Sequence, residues 1–545
     1  MKKIAVIIAI VALAGIAAAE NYYIKDFLLD EENYFIRDNE RNPGNIGPIA
    51  LGDVNGDGYD DLIMGAPRAI AQGADDTGIL YVRFGLNFGE GSGYIPEPGF
   101  DLSSTTTLTT DPTLSSVAFD DDYGRPAGIQ VNGEVDSRRF GYSLAAGDFN
   151  GDGFDDIACH MHDYFEPEGP GRVYLIKGRS DISGLLDLEN ERQNQRSFYI
   201  YGRSNGDRFG RSLFFADLDN DGKEDLFIGS PNAGDGGDVD IIYGREFSVV
   251  YSQFIDAIPM PRTRLSAESA DDSLGFAFAS GDLNGDGITD VCIGAPDHSG
   301  YEYYAGKGYI IQGRNRISET RDPLPNGTLD LSATTRTIEL VSRVSLESAG
   351  SSFAVGDLNN DGLNDLAIGA PRWSNTDTPN RGRVYVLFND GEIFQNRGAS
   401  VEISLADVRF SPFNDPDRLG TKLAFVNFDG FSGDDLIITA PYDDPVDRSA
   451  AGSLRIVTGS SDPEVFSKYN YNIESYTRGF FIKGQQPGDF MGQDLTVGDF
   501  NGDDRGDFFV SGSGANATGK CVWGMYGSNL YRPLGADGNL WLRYE

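Results

Sequence analysis

The chain has 545 residues, with 84 acidic against 44 basic side chains and a formal net charge of −40 at pH 7. Charge of that sign and size excludes a nucleic-acid backbone or an anionic membrane surface as partner, because either would be repelled. Seventy Gly, 24 Pro and a 12% aromatic share, with no periodic helical stretch after the first 20 residues, describe a turn-rich all-β chain.

Residues 1–19 read as a secretory signal peptide. Lys2 and Lys3 form the charged end, Ile4 to Ile16 the apolar core, and Ala17-Ala18-Ala19 a small-residue cleavage site. That apolar run is too short to span a bilayer, and no later segment is apolar enough to do so. The mature chain is therefore expected to start at Glu20 and to be secreted or extracellular, or periplasmic or cell-surface in a bacterium. Losing Lys2 and Lys3 takes the charge from −40 to −42. A strand is predicted at about 34–38, where the sequence reads Tyr34-Phe-Ile-Arg-Asp38.

An acidic loop of one design then recurs, starting at residues 53, 148, 217, 282, 357, 427 and 499. Side-chain oxygens fall at its first, third, fifth and ninth places, a Gly at the sixth, and the seventh place offers a backbone carbonyl. Calcium, a hard cation taking six to eight oxygen ligands, asks for that set. The predicted ligands are Asp53, Asn55, Asp57, Tyr59 and Asp61; Asp148, Asn150, Asp152, Phe154 and Asp156; Asp217, Asp219, Asp221, Lys223 and Asp225. They continue with Asp282, Asn284, Asp286, Ile288 and Asp290, and with Asp357, Asn359, Asp361, Leu363 and Asp365. A sixth, weaker site is expected at Asp499, Asn501, Asp503, Arg505 and Asp507, where Asp504 takes the Gly place. The loop at Asn427 has Phe431 for the central acid and Ser432 for the Gly, so no ion is expected there. The loops are not EF-hands, which need a Glu at the twelfth place and a helix on each side. Here that place holds Met64, Cys159, Ile228, Ile293 or Ile368. Without calcium, three or four carboxylates per loop would repel one another, so stability is expected to depend on the ion.

Short apolar runs ending in Gly and Pro follow the loops, as in Asp61-Leu-Ile-Met-Gly-Ala-Pro67 and Asp365-Leu-Ala-Ile-Gly-Ala-Pro371. They read as buried strands, so each loop joins two strands. Third strands, such as Gly171-Arg-Val-Tyr-Leu-Ile-Lys-Gly178, and fourth strands, such as Phe198-Tyr-Ile-Tyr-Gly202, complete the unit. Seven units of four strands, repeating about every 70 residues, predict a seven-bladed β-propeller of four-stranded antiparallel blades with calcium loops between strands 1 and 2. It occupies residues 20–545 as one domain. The strand at about 34–38 is expected to close the last blade. The long first interval carries an insertion at about 86–126, with a Ser/Thr-rich run and Asp120-Asp121-Asp122, read as mobile and on the calcium-loop face.

Other signals carry less. His160 and His162 stand where other units have the Gly and Pro of the turn, and His298 follows the turn of unit four; all three read as plain loop histidines. Three Cys on separate units do not form a disulfide framework. Arg505-Gly506-Asp507 could be an attachment tripeptide, but the repeat register makes Asp507 a loop ligand.

The letters Phe140-Gly141, Phe209-Gly210, Gly65-Ala-Pro67, Gly294-Ala-Pro296 and Gly369-Ala-Pro371 resemble the FG-GAP repeats of the integrin α-subunit head, over about residues 34–527. The resemblance implies a seven-bladed propeller with calcium sites, and a ligand face opposite the calcium loops. Further β-sandwich domains, a C-terminal span and a cytoplasmic tail are not expected. The strand 2–3 loops on that opposite face carry Tyr164, Tyr301, Tyr303, Tyr304, Trp373 and Tyr442, aromatic anchors for a protein or a sugar. No catalytic motif is recognised. The expected function is extracellular adhesion or protein recognition, with an extracellular or cell-surface protein or glycan as partner. A lectin is the alternative, followed by a polysaccharide-acting hydrolase or lyase.

Overall fold

The computed structural model describes residues 22–23, 34–37, 47–69, 77–85, 100–101, 128–133, 139–162, 169–234, 236–246, 252–258, 260–300, 302–315, 327–334, 336–374, 379–412, 417–431, 433–444, 449–462, 464–467, 469–473, 476, 478–484, 487–512 and 521–527. The signal segment lies outside them, as does nearly all of the 86–126 insertion.

The strands assemble into seven sheets in ring order. Blade 1 is built from Ile49–Gly52, Asp61–Ala66, Ile79–Arg83 and Gly128–Asn132. Blade 2 follows with Phe140–Gly147, Asp156–Met161, Arg172–Ile176 and Ser197–Tyr201. Blade 3 takes Ser212–Ala216, Asp225–Ser230, Asp238–Ile242 and Arg262–Ser266. Blade 4 takes Phe278–Gly281, Asp290–Ala295, Lys307–Ile311 and Thr337–Val341. Blade 5 takes Ser352–Gly356, Asp365–Ala370, Arg383–Leu387 and Val408–Ser411. Blade 6 takes Leu423–Val426, Asp435–Ala440, Ser453–Val457 and Gly479–Lys483. Blade 7 takes Asp494–Gly498, Asp507–Gly512 and Cys521–Met525, and its fourth strand is the N-terminal Tyr34–Arg37, antiparallel to Cys521–Met525.

Every blade also has a fifth, parallel strand, which the four-strand pattern of the sequence does not include. The strand 3–4 connection of the following blade supplies it, except in blade 6, where the strand lies ahead of the N-terminal Tyr34–Arg37 in the chain. Gly184–Leu186 pairs with blade 1, Ser252–Phe254 with blade 2, Gly327–Asp330 with blade 3, Ser400–Glu402 with blade 4 and Asn470–Asn472 with blade 5. Tyr22–Tyr23 pairs with blade 6, and Phe100–Asp101 with blade 7. Each outer edge, whose open N–H and C=O groups would otherwise invite another chain, is thus covered by a neighbour. One short helix, Leu188–Gln193, follows the first of these strands, capped by Asp187 accepting from Asn190 N–H.

The core is divided among the junctions. Seven apolar clusters form among the described residues, one between each pair of neighbouring blades. The second strand of every blade is buried along its whole length, because both faces of each sheet are covered. That explains why those segments read as unbroken apolar runs rather than alternating ones. The repeated Gly of the turn serves the same junctions. A Cβ on Gly65 would lie 2.2 Å from the Gly141 carbonyl oxygen, and one on Gly294 would lie 2.1 Å from that of Gly350. Only glycine lets the blades approach so closely. Blade 2 has His160 at that place, and its first strand is irregular in register between Phe140 and Leu144.

Candidate metal-binding loops and the opposite face

Six of the seven strand 1–2 loops wind around their first residue. Asp53 Oδ1 accepts from the N–H groups of Gly56 at 2.7 Å and Asp57 at 3.0 Å, and Oδ2 from Gly58 at 2.8 Å. Asp148 and Asp282 repeat all three bonds. The winding needs left-handed backbone at the sixth place, where Gly58 has φ 89° and Gly222 φ 82°. In loop 7 Asp504 adopts φ 61° there, a conformation that Asp tolerates better than most residues. The fourth place is left-handed too, at Gly56 (φ 74°), Asn220 (φ 52°) and Asn360 (φ 56°); the ligand pattern passes over this position, although Gly or Asn stands there in every copy.

The ninth-place aspartate is the buried hub. Asp61, Asp156, Asp225, Asp290, Asp365, Asp435 and Asp507 are all at most 1% exposed. In each, Oδ1 accepts the N–H of the second residue after strand 3: Gly85, Gly178, Gly244, Gly313, Asn389, Gly459 or Gly527. In six of them Oδ2 accepts from the second residue of the loop, as in Val54 N–H at 3.0 Å, and in Asp156 it accepts from Asn150 Nδ2. Burial, reinforced by the other carboxylates of the loop, pushes Asp61 up to about 9, Asp156 and Asp507 to about 8, and Asp290, Asp365 and Asp435 to about 7. Asp225 also rises, well above the usual carboxylate range. These are acids whose charged form asks for a cation. In loop 3 one oxygen each from Asp217, Asp219 and Asp225 lie within 4.8 Å of one another. An all-oxygen set with several carboxylates fits a hard divalent cation.

Loop 6 is closed differently. Asn427 Nδ2 donates to the Phe431 carbonyl at 2.9 Å, so the side chain at the first place spends itself within the loop. Asp507 of the Arg-Gly-Asp tripeptide is fully buried in loop 7, its oxygens taken by Gly527, Phe500 and Asn501 N–H groups. The tripeptide is therefore part of the loop scaffold and not a surface motif.

The opposite face carries the strand 2–3 loops. Tyr303 is 63% exposed, with Tyr304 beside it at 4.3 Å between ring centroids. Tyr442 is 36% exposed, under the Arg418 guanidinium at 4.1 Å. Trp373 is half-buried, with the Arg383 guanidinium 3.6 Å from its ring centroid. Tyr164 and Tyr301 lie outside the described residues. His160 is no loop residue but a fully buried strand residue, paired with Val173. Burial holds its pKa well below the usual range, so the ring is neutral. His298 Nδ1 lies 3.0 Å from Asp272 Oδ1, also buried. Cys159 and Cys292 are buried free thiols.

Glu347, on this face, gives a test of the buried network. It accepts from the hydroxyls of Ser342 and Tyr385, and burial pushes it up to about 6. The folded acid holds its proton longer than the unfolded one, so this group's stabilisation is complete below the unfolded value and is lost as pH rises through about 6. Glu347→Gln keeps an acceptor and removes the ionisation. It is expected to be more stable than wild type by about 2 kcal/mol near pH 8 and equal to it near pH 4, in urea unfolding at both pH values. Equal stability at both would remove the buried-acid account.

The FG-GAP repeat family matches residues 49–82, 140–176, 209–242, 274–311 and 349–387, which fall in blades 1 to 5. Phosphatidylinositol-glycan-specific phospholipase D of Homo sapiens is 29% identical over 225 residues, 41% of this chain and 24% of that protein. Integrin alpha-PS2 of Drosophila melanogaster is 32% identical over 190 residues, 33% of this chain and 12% of that one. Integrin alpha pat-2 of Caenorhabditis elegans is 28% identical over 253 residues, 44% and 18% respectively. The chain thus spans less than a quarter of the length of each of these relatives. A Bacillus licheniformis rhamnogalacturonan lyase overlays 92% of the chain and 76% of its own at 11% identity and a TM-score of 0.37, too low to carry anything across. Among the described residues no helix is long and apolar enough to cross a membrane. The chain carries FG-GAP repeats in a seven-bladed propeller that resembles the integrin α-subunit head.

Proposed function

We propose that this is a secreted calcium-binding propeller that mediates extracellular adhesion or protein recognition. The observation that supports it most is the repetition of one buried-acid oxygen cage around the ring. Five complete loops take one ion each, and loop 7 takes a sixth more weakly; loop 6 takes none. Bound calcium neutralises carboxylates that would otherwise repel, and so stiffens one face. The opposite face is then a rigid platform for partner loops, where Tyr303, Tyr304 and Tyr442 offer exposed aromatic area. The relatives that carry integrin names support this reading, and those named phospholipase D are the reason to test for turnover as well.

The test is binding by residues 20–545, in calcium and again in chelator, first to a glycan array and then to cell-surface protein extracts by cross-linking. Calcium-dependent, protein-specific capture that weakens about tenfold in Tyr303→Ala supports recognition through this face. Binding to a defined sugar, competed by the free sugar, would replace this reading with the lectin. Turnover of a polysaccharide would replace it with an enzyme.

A further inference from the structure

The loops are joined to one another by a residue that the ligand pattern leaves out. The eighth place holds Asp60, Asp155, Glu224 and Asp434 in loops 1, 2, 3 and 6. Each of these residues clamps the first residue of the loop in the preceding blade at two points, one through its backbone N–H and one through its carboxylate. Asp155 N–H donates to the Asp53 carbonyl at 2.9 Å, and Asp53 N–H donates to Asp155 Oδ2 at 2.8 Å. Glu224 holds Asp148 in the same way, at 3.0 Å for both bonds. Asp434 holds Asp357 at 2.8 and 2.9 Å. Asp60 holds Asp499 at 3.2 and 2.8 Å, which carries the clamp across the junction where the ring closes. In loop 5 Asn364 offers an amide instead, Nδ2 donating to the Asp282 carbonyl at 3.2 Å. In loop 7 the residue is Gly506, and only the backbone bond to the Asn427 carbonyl is present.

Two further observations give the clamp a direction. At three of the four clamped junctions the seventh-place side chain of the later loop also lies over the fourth-place Gly of the earlier one: Phe154 over Gly56, Lys223 over Gly151, Tyr59 over Gly502. Loop 6 supplies the other. It has lost its central acid and closes on itself through Asn427, yet it keeps Asp434, whose carboxylate serves loop 5. A loop that has no use for an ion of its own has kept the residue that holds its neighbour's first ligand.

We propose that these eighth-place carboxylates are positioning residues for the ion sites of the preceding blade, so that the calcium affinity of one loop is set by the next blade. The proposal rests on the calcium reading above. Fixing both backbone groups of the first-place Asp holds its carboxylate in the wound conformation before the ion arrives, so less ordering remains to oppose binding. The ring of sites is thereby mechanically linked, and an ion in one loop stabilises the junction that the next blade needs.

The cleanest test uses Asp434, since it lies in the loop that takes no ion. Full-length mature wild type, Asp434→Ala and Asp434→Asn are titrated with calcium, and amide hydrogen exchange is followed in the peptide of each loop. In Asp434→Ala the calcium midpoint for protecting residues 357–365 is expected to rise about tenfold, the loss of one charge-assisted hydrogen bond, while loops 1 to 4 stay within about twofold. In chelator the same peptide is expected to exchange faster than in wild type. Asp434→Asn keeps an acceptor for Asp357 N–H and is expected to recover most of the affinity. An unchanged loop 5 midpoint, or one equal shift in all loops, overturns the clamp and leaves calcium binding standing. A wild-type loop 5 that gains no protection from calcium overturns the calcium reading and the clamp with it.

Discussion

Chelating calcium is expected to lower the melting temperature of the mature chain by on the order of 10 °C. An ion that binds only the folded state at about 100 times its Kd contributes about 2.7 kcal/mol, so five loops contribute about 13 kcal/mol together. A propeller of about 500 residues has an unfolding entropy near 1 kcal/mol per degree, which converts the one figure into the other. The physical source is the set of buried ninth-place acids, which lie beside the other carboxylates of their loops; among the described residues no Lys or Arg shifts Asp61 or Asp507. Differential scanning calorimetry in calcium and in chelator reads the shift, and readdition of calcium should restore it. Superimposed melting curves would remove calcium as a structural partner.

The second large effect separates scaffold from ion. Asp225→Ala leaves the buried N–H of Gly244 without its acceptor and leaves Leu218 N–H with only the Ala216 carbonyl. Asp435→Ala strands the N–H groups of Asp429 and Gly459 and leaves Phe428 N–H with only the Val426 carbonyl. Each substitution is expected to cost about 3 kcal/mol in chelator, because a stranded buried donor costs its full desolvation. In calcium, Asp225→Ala is expected to cost about 3 kcal/mol more, since its loop loses the ion, whereas Asp435→Ala is expected to cost the same as before. Urea unfolding under both conditions gives the four values. A calcium increment for Asp435→Ala equal to that for Asp225→Ala would mean that loop 6 holds an ion after all.

Much of the ring is legible in the letters alone. Asp61-Leu-Ile-Met-Gly-Ala-Pro67 and its copies announce a fully buried second strand, and their repetition announces blades. The fifth strands are not legible in this way. Gly184–Leu186 and Asn470–Asn472 are three residues each, without alternation, and their partners belong to another blade. The left-handed fourth place is written in the letters, as Gly or Asn in each copy, but a search for ligands passes it by because none falls there. His160 reads as a loop residue because it replaces the turn Gly, yet it is buried in the strand. The irregular first strand of blade 2 and the bare Gly210 of the next blade give its ring room in the core.

Local rules are enough for the seven-blade β-propeller and for the register of its acidic loops. The apolar runs and the spacing of oxygens around a tight turn each act within about ten residues, so both can be read from the amino-acid order. What the loops do to one another follows only from the packing of the folded ring. Asp155 and Asp53 are far apart in the chain and meet because neighbouring blades pack through their glycines. Packing also settles which aromatics remain on the open face, since burial depends on what folds over a side chain and not on the letter itself. Tyr303 stands out in solvent while Trp373 lies beneath Arg383.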